Sequence, residues 1–574
     1  MLLPESRRAG FQGSAMIFLR VDFEKGTVRR LETKHKNSIA AGATVLIAAN
    51  FIVKIIGVVY KIPLANILGS DGMGYLSSAY EIYQLLLTIF ASGGAVAISK
   101  MVAESIALAR YAEVRKEVRL MGTVFFIVGG LGTAVMFFGS GFFARSVSTE
   151  QAKYCMMVLS PAIFFLSMSC VFRGYYQGMQ NMKPTGITQI VEAFFKLLIG
   201  IGFALLLKSL AYPEEHVAAG AISGTSISTM IGTVILLCVF FSPKNRRELH
   251  ALTRRGGKVR SKKAILRQFV HLAVPLTMSA MVVNLTGVLD LFLIYKRLED
   301  SGLDKTMANA AYGGYKGYAQ TLFNLPPSII SSLNVSIIPA LSAAFVAKND
   351  RRVRYLLRRV IKLVIALAMP CAVGLLVLAG PIQRMLFPAR LDEIEAVTPL
   401  LQILGVASFW TCLSTLSTAM LQSIGKMRVP VYSLISGGIV KLTVNYILIG
   451  IPSIGMIGAP IGTLLCYITI FTINFICFRK DVQCRISLSK VVLKPVIASV
   501  LMGFVGYYAQ KLGASLIGDA KATALAVCLA AAVYGVVMLA IGGISEKDIL
   551  MLPKGQTMVR LLKKMHLLHT KPAQ

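Results

Sequence analysis

The chain of 574 residues is too apolar and too basic for an ordinary water-soluble domain: hydrophobic residues make up 55% of it, and its formal net charge is +34. In a soluble protein this charge would point to nucleic acid, but here Lys and Arg concentrate between long apolar stretches. We therefore expect them to face the anionic cytoplasmic leaflet of a membrane, and we expect no nucleic-acid partner.

Apolar stretches of about twenty residues recur roughly fourteen times, and each is long enough, at 1.5 Å per residue, to cross a hydrocarbon core of about 30 Å. We predict the first six helices at residues 39–62, 75–99, 120–144, 152–172, 185–207 and 217–241. We predict the others at residues 269–295, 308–333, 360–380, 396–420, 430–450, 455–478, 491–509 and 522–541. The predicted fold class is an all-α membrane protein with about 14 transmembrane helices.

Basic residues alternate between the two sides of these helices. They are dense at residues 110–119, 244–267, 351–362 and 479–494, whereas residues 63–74 and 452–458 contain none. The positive-inside rule then places both termini in the cytoplasm of a bacterial cell, with the helices in the inner membrane, and requires an even number of helices. The segment before residue 37 lacks an apolar h-region, so we expect no cleaved signal peptide.

The same residue order, a Gln and a Gly, a basic turn, a Pro and then a Lys within the next helix, occurs at residues 177–200 and 422–450. This repetition favours two six-helix lobes in pseudo-twofold parallel repeat, followed by two C-terminal helices. The predicted regions are a cytoplasmic N-terminal segment (1–38), an N-lobe (39–242), a basic cytoplasmic linker (243–268), a C-lobe (269–480), two further helices (490–543) and a cytoplasmic tail (544–574).

Three segments carry a family resemblance: residues 50–74 (NFIVKIIGVVYKIPLANILGSDGMG), 80–104 (YEIYQLLLTIFASGGAVAISKMVAE) and 173–184 (RGYYQGMQNMKP). They resemble the stage V sporulation protein B and polysaccharide biosynthesis protein family. That family belongs to the multidrug, oligosaccharidyl-lipid and polysaccharide exporter superfamily and is related to the lipid II flippase MurJ.

The resemblance implies a flippase that carries a polyprenyl-diphosphate-linked saccharide, lipid II or a related cell-wall or polysaccharide precursor, to the outer leaflet. It also implies an arginine-rich cationic cavity. In this sequence Lys54 stands where one such arginine is expected, and Tyr60 occupies the position of another, next to Lys61. This departure leaves open which lipid-linked saccharide is carried.

Ionisable residues within membrane helices are costly and therefore candidates for function. In the first helix, Asn50, Lys54 and Lys61 are spaced to share one face, which predicts a cationic stripe that binds substrate. Lys61 can alternatively extend its amine to the outer interface. In the second helix, Glu81 is placed to pair with a lysine of the first or to couple an ion or proton.

In the fifth helix, Glu192 and Lys196 stand four residues apart in the order that favours an ion pair. We expect either this pairing or a direct ligand or proton role. Arg173 lies near the predicted cytoplasmic mouth and adds a further cation.

The second lobe contributes Asp290, Lys316 and Lys441, with Asn445 one turn beyond Lys441. Around Lys316 we predict a polar and aromatic face that lines a cavity and includes Tyr312, Tyr315, Gln320 and Asn324. The alternative is a helix interface joined by hydrogen bonds. Asp290 is a candidate for charge pairing or ion coupling.

The predicted helices hold more cations than acids, and a buried charge without a partner is costly, so we expect an anionic ligand such as a diphosphate. A multidrug or cation exporter of the same superfamily is the alternative. A membrane enzyme and a scaffold are less consistent with the sequence. The outer acids, including Asp392, Glu393 and Glu395, are expected on the solvated surface.

No catalytic residue, cofactor or metal site is predicted. The nine cysteines show no metal-ligand spacing and lie mostly within the apolar stretches. The sequence contains no GxxxxGK[ST] phosphate loop, so we expect no ATPase domain in this chain. The expected partners are membrane lipids and the lipid-linked saccharide diphosphate.

Overall fold

The computed structural model describes residues 9–147, 149–243, 245, 247, 259–347, 350–482 and 488–543. The predicted cytoplasmic tail (544–574) and half of the predicted linker (243–268) therefore lie outside the described residues. The described part is built from helices and contains no β-strand.

The N-terminal half consists of six helices. They are α1 (Ala9–Ala91), α2 (Gly94–Ala107), α3 (Tyr111–Ser146), α4 (Ala152–Gly178), α5 (Lys183–Ser209) and α6 (Glu214–Phe241). Long apolar segments explain most of them, because a helix satisfies its own backbone hydrogen bonds within lipid. The turn before α5 places Pro184 in its first turn, where a missing N–H costs nothing.

The C-terminal half contains the remaining helices. They are α7 (Lys262–Asp300), α8 (Lys305–Gly314), a π-helix (Tyr315–Ala319), α9 (Gln320–Phe323), α10 (Leu325–Val346), α11 (Asp350–Val377), α12 (Ala379–Leu386), α13 (Leu391–Ser423), α14 (Arg428–Ile449), α15 (Gly458–Val482), α16 (Leu488–Ile517) and α17 (Asp519–Ala540). Short 3₁₀ turns at Pro388–Arg390 and Gly455–Ile457 precede α13 and α15.

The all-helical membrane fold is confirmed, whereas the exact count of fourteen crossings stays a prediction. Twelve described helical segments are long and apolar enough to cross a membrane. The second predicted crossing and all but the first nine residues of the first fall within a single segment, Ala48–Ala107. The eighth, predicted at residues 308–333, is interrupted by the π-helix and is not among the twelve.

Helix α1 is not straight, because Gly69 interrupts it with a φ of 67°. Glycine suits this left-handed conformation, and a Cβ here would lie 2.7 Å from Cζ of Arg390. A straight helix would separate Lys61 from Glu81 by about 30 Å, yet both line one cavity. The chain therefore doubles back near Gly69.

The two halves pack their corresponding helices in the same way. A Cβ added to Gly224 in α6 would lie 2.8 Å from the carbonyl oxygen of Lys196 in α5, and one added to Gly462 in α15 would lie 3.2 Å from that of Lys441 in α14. Glycine thus allows each helix pair to approach closely at its lysine. Residues 177–200 and 422–450, which are similar in sequence, therefore also pack in a similar way.

The end of the linker is attached to the N-terminal half. The backbone N–H of Arg260 donates to Glu113 at 3.1 Å, and Gln268 at the start of α7 donates to Glu104 at 2.9 Å. The guanidinium of Arg260 also donates to the carboxylate of Glu113, and this side-chain hydrogen bond raises the pKa of Arg260 above its usual value. The start of α7 is therefore fixed against α2 and α3.

Candidate functional site

A cavity of about 700 Å³ lies between the two halves of the molecule. Helices α1, α4, α5 and α6 line most of it, and Lys316, Gln320 and Asn324 line it from the C-terminal half. This volume lies within the range of small-molecule sites, about 300–1,000 Å³. Both halves therefore contribute residues to one cavity.

The cavity lining contains four cations and two acids. The cations are Lys61, Arg173, Lys196 and Lys316, and the acids are Glu81 and Glu192. Asn50 and Gln320, both predicted substrate contacts, also line it. Which cations are paired determines the kind of ligand that the cavity suits.

Arg173 in α4 pairs with Glu192 in α5. Its Nη2 donates to both carboxylate oxygens, at 2.5 and 2.7 Å, and the two side chains are 14% and 13% exposed. The predicted pairing of Glu192 with Lys196 is therefore wrong. Helical spacing put Lys196 on the same face but carried no information about Arg173 on a neighbouring helix.

Lys316 pairs with Glu81 across the two halves. Its Nζ lies 2.7 Å from Oε1 of Glu81 and 5.5 Å from the ring centre of Tyr312. The predicted pairing of Glu81 with a lysine of the first helix is therefore wrong. Lys316 stands in the π-helix, a rare conformation that often occurs at functional sites. The sequence predicts a regular α-helix here and does not predict the π-helix.

Lys61 and Lys196 have no carboxylate partner among the described residues. The Nζ atom of Lys196 lies over two aromatic rings, 5.4 Å from the centre of Tyr60 and 5.3 Å from that of Tyr80. Lys61 is exposed and lines the cavity. Sequence reasoning did not assign either tyrosine a role, because a helix pattern does not show which rings a lysine will meet.

Lys54 lies beside the cavity rather than in its lining. Its Nζ donates to Oγ of Ser331 at 2.6 Å and to the carbonyl oxygen of Ser328 at 3.1 Å, both in α10. The contact joins the first helix to the C-terminal half. Among the described residues, Lys54 also has no carboxylate partner.

A second charged cluster lies within the C-terminal half, outside the cavity lining. Oδ2 of Asp290 lies 2.6 Å from Nζ of Lys441, and its Oδ1 accepts from Asn445 at 2.5 Å. Tyr315 is fully buried, and its hydroxyl lies 3.2 Å from that of Thr463. The predicted substrate contacts Lys441, Asn445 and Tyr315 are thus placed in a buried polar core.

One end of the cavity is closed by contacts between the Gly69 bend of α1 and the junction of α12 and α13 in the other half. The backbone N–H of Ser70 donates to Glu393 at 2.8 Å, and the Asn66 amide donates to the carbonyl oxygen of Leu386 at 2.8 Å. Glu393 also accepts from the hydroxyl of Tyr318 at 2.6 Å. The expectation that Glu393 is merely solvated is therefore wrong, because an acid in the first turn of a helix gives no sequence signal of its distant partner.

Helices enclosing a polar cavity, closed at one end by contacts between two halves, are the architecture of a membrane transporter. A model of the family described as "Polysaccharide biosynthesis protein" matches residues 39–345. This match spans more than half of the chain, which belongs to that family. A second model, MatE, matches residues 313–447.

Two curated relatives come from Bacillus subtilis (strain 168). Stage V sporulation protein B is 23% identical over 90% of this chain and 98% of its own length. Lipid II flippase MurJ is 23% identical over 88% of this chain and 95% of its own length. A solved structure of the lipid II flippase MurJ, in an inward closed conformation, has a TM-score of 0.65 at 15% identity, covering 86% of this chain and 98% of that one.

These findings confirm the family resemblance and the transporter fold. The chain is a multi-pass membrane transporter or flippase of the multidrug, oligosaccharidyl-lipid and polysaccharide exporter superfamily.

Proposed function

We propose that this protein is a flippase that moves a polyprenyl-diphosphate-linked saccharide from the cytoplasmic to the outer leaflet by alternating access. The observation that carries the proposal is the state of Lys61 and Lys196. Both line the cavity without a carboxylate partner among the described residues, whereas Lys316 and Arg173 are each paired.

The positive charge of these two cavity lysines is not balanced by a neighbouring carboxylate of the described structure, so a ligand that supplies negative charge is favoured. The rings of Tyr60 and Tyr80 stabilise the ammonium of Lys196 through cation–π attraction but do not neutralise it. A diphosphate offers two or more negative charges and only hydrogen-bond acceptors, which match two lysine ammonium groups.

The contacts between the halves support alternating access. The contact between Ser70 and Glu393 closes one end of the cavity, and the Lys316–Glu81 pair joins the two halves across the cavity. Each joins groups from different halves, so each must break when the halves move apart. The diphosphate would attract Lys316 and compete with Glu81 for it.

A cation exporter of the same superfamily is the alternative. It requires a carboxylate that is free to meet an organic cation. In the described residues, the two acids of the cavity lining are already paired with Arg173 and Lys316. The MatE match alone does not specify a substrate. The charge balance of the cavity favours an anionic one. The name of the MurJ relative makes lipid II the leading candidate.

Transport in proteoliposomes tests the proposal. A polyprenyl-diphosphate saccharide should cross the bilayer with the wild-type protein, as judged by headgroup accessibility to an impermeant reagent. Lys61→Gln with Lys196→Gln should reduce the rate by at least about tenfold, because two charge-assisted contacts are lost. Lys208→Gln, which removes a lysine outside the cavity lining, should not. Unchanged transport in the double variant, or export of organic cations instead, would overturn the proposal.

A further inference from the structure

We propose that the N-terminal half recognises the saccharide part of the substrate through a polar surface separate from the two unpaired lysines. We call this surface the polar shelf and define it by Arg173 in α4, Gln189 in α5 and Thr225 in α6. The inference rests on the proposed function and assigns a location to the sugar within the same cavity. It also identifies the residues that distinguish a glycosylated lipid from a diphosphate lipid without sugar.

The first observation is an unused hydrogen-bonding capacity. In the described part of the chain, Nε of Arg173, Oε1 of Gln189 and Oγ1 of Thr225 are buried and have no hydrogen-bond partner. All three residues line the cavity, and Thr225 is only 6% exposed. A buried polar atom without a partner costs about 1–3 kcal/mol. Three of them on one wall indicate that a polar ligand completes them.

The second observation is the chemistry of the set. Arg173 offers an N–H donor, Gln189 an amide, and Thr225 a hydroxyl that both donates and accepts. Sugar hydroxyl and acetamido groups also combine donors with acceptors. A diphosphate has only hydrogen-bond acceptors, so it cannot bond to the oxygen of Gln189. The carboxylate of Glu192, which is bonded to Arg173, would also repel its negative charge. The shelf therefore suits a saccharide, and the diphosphate belongs at the lysines.

The third observation is spacing. Gln189 and Lys196 lie on the same helix, seven residues apart, which corresponds to about 10 Å along its axis. Thr225 follows Gly224, which packs against the carbonyl oxygen of Lys196. The shelf thus begins beside Lys196 and continues for about two turns along α5. A sugar linked to a diphosphate at Lys61 and Lys196 would lie against it.

The test compares two lipids on the purified full-length protein in nanodiscs. One is a polyprenyl diphosphate without sugar, and the other is the same lipid with its saccharide. The wild-type protein should bind the saccharide lipid more tightly. Gln189→Leu with Thr225→Val should lower that affinity by at least about fivefold, since hydrogen bonds to the sugar are lost. The affinity for the sugar-free lipid should stay unchanged.

Thr233→Val is the matched control. Thr233 lies on the same helix, is outside the cavity lining, and its hydroxyl already donates to carbonyl oxygens of Phe165 and Thr229. It should alter neither affinity. Thr225→Ser, which keeps the hydroxyl, should retain the saccharide preference even if Thr225→Val folds poorly.

The outcomes separate the two proposals. The proposed polar shelf would be overturned if Gln189→Leu with Thr225→Val kept the preference for the saccharide lipid. It would also be overturned if that variant, still folded, lost affinity for both lipids equally. An uncharged polyprenol is measured as a third lipid in the same assay. If the wild-type protein binds neither diphosphate lipid more tightly than this polyprenol, the proposed function itself fails.

Discussion

Arg173 donates two hydrogen bonds to Glu192, at 2.5 and 2.7 Å, and this contact leaves Lys196 on the same helix as Glu192 without a carboxylate. The consequence extends to the whole cavity. Its two acids are occupied by Arg173 and Lys316, so its remaining positive charge is concentrated at Lys61 and Lys196. The ligand that the cavity favours is therefore anionic.

Glu192→Gln should destabilise the protein by about 3 kcal/mol, because it leaves the guanidinium of Arg173 buried without its partner. Adding Arg173→Gln should recover much of this loss, whereas adding Lys196→Gln should not. A double-mutant cycle on unfolding in detergent measures both couplings. Coupling of Glu192 to Lys196 with none to Arg173 would contradict the pairing described above.

Asp290→Leu alone and Lys441→Met alone should each destabilise the protein by about 3–5 kcal/mol, because each strands a buried charge. The double variant Asp290→Leu with Lys441→Met should have an unfolding midpoint much closer to that of the wild type. Arg384→Gln with Asp519→Asn alters an exposed pair, with side chains 42% and 39% exposed, and should change the midpoint little. Additive losses at Asp290 and Lys441 would indicate that they do not act as a pair.

Fixing the closed end of the cavity should stop transport. Oδ1 of Asn66 lies 3.3 Å from the backbone nitrogen of Ala389 in the other half. In a cysteine-free background, Asn66→Cys with Ala389→Cys should lose transport on treatment with a short, reducible thiol cross-linker and regain it on reduction.

The matched control pair joins two positions within the C-terminal half. Arg384→Cys with Asp519→Cys replaces a 2.8 Å ion pair, and its cross-linking should leave transport intact. Transport that continues at the normal rate with Asn66→Cys and Ala389→Cys fully cross-linked would show that these two positions need not separate.

The orientation in the membrane is tested by thiol labelling. In a cysteine-free background, Ser453→Cys should react with an impermeant reagent from outside the cell, and Ser261→Cys should react only after permeabilisation. Both positions are exposed, so access depends on the side of the membrane rather than on burial. Labelling of Ser261→Cys from outside would reverse the proposed topology.

The fold class could be predicted because hydropathy and charge alternation are set by the bilayer itself, and the family could be predicted from three motif segments. The charged residues of the cavity could be predicted because ionisable side chains within membrane helices are costly. The sequence did not predict which charges pair. Glu192 meets Arg173 across two helices, and Lys316 meets Glu81 through a π-helix, so neither contact follows from the spacing within one helix. Likewise, Lys441 was recognised as a membrane lysine, but only the packing of α14 against α7 places it beside Asp290.

The most direct measurement of the central claim is equilibrium binding of three ligands to the purified protein at two salt concentrations. A polyprenyl-diphosphate saccharide should bind more tightly than the uncharged polyprenol. Rising salt should reduce the difference, because screening weakens attraction to Lys61 and Lys196. Lys61→Gln with Lys196→Gln should remove most of it, and an organic cation should not compete. Equal binding of the uncharged lipid, or tighter binding of the organic cation, would contradict the account.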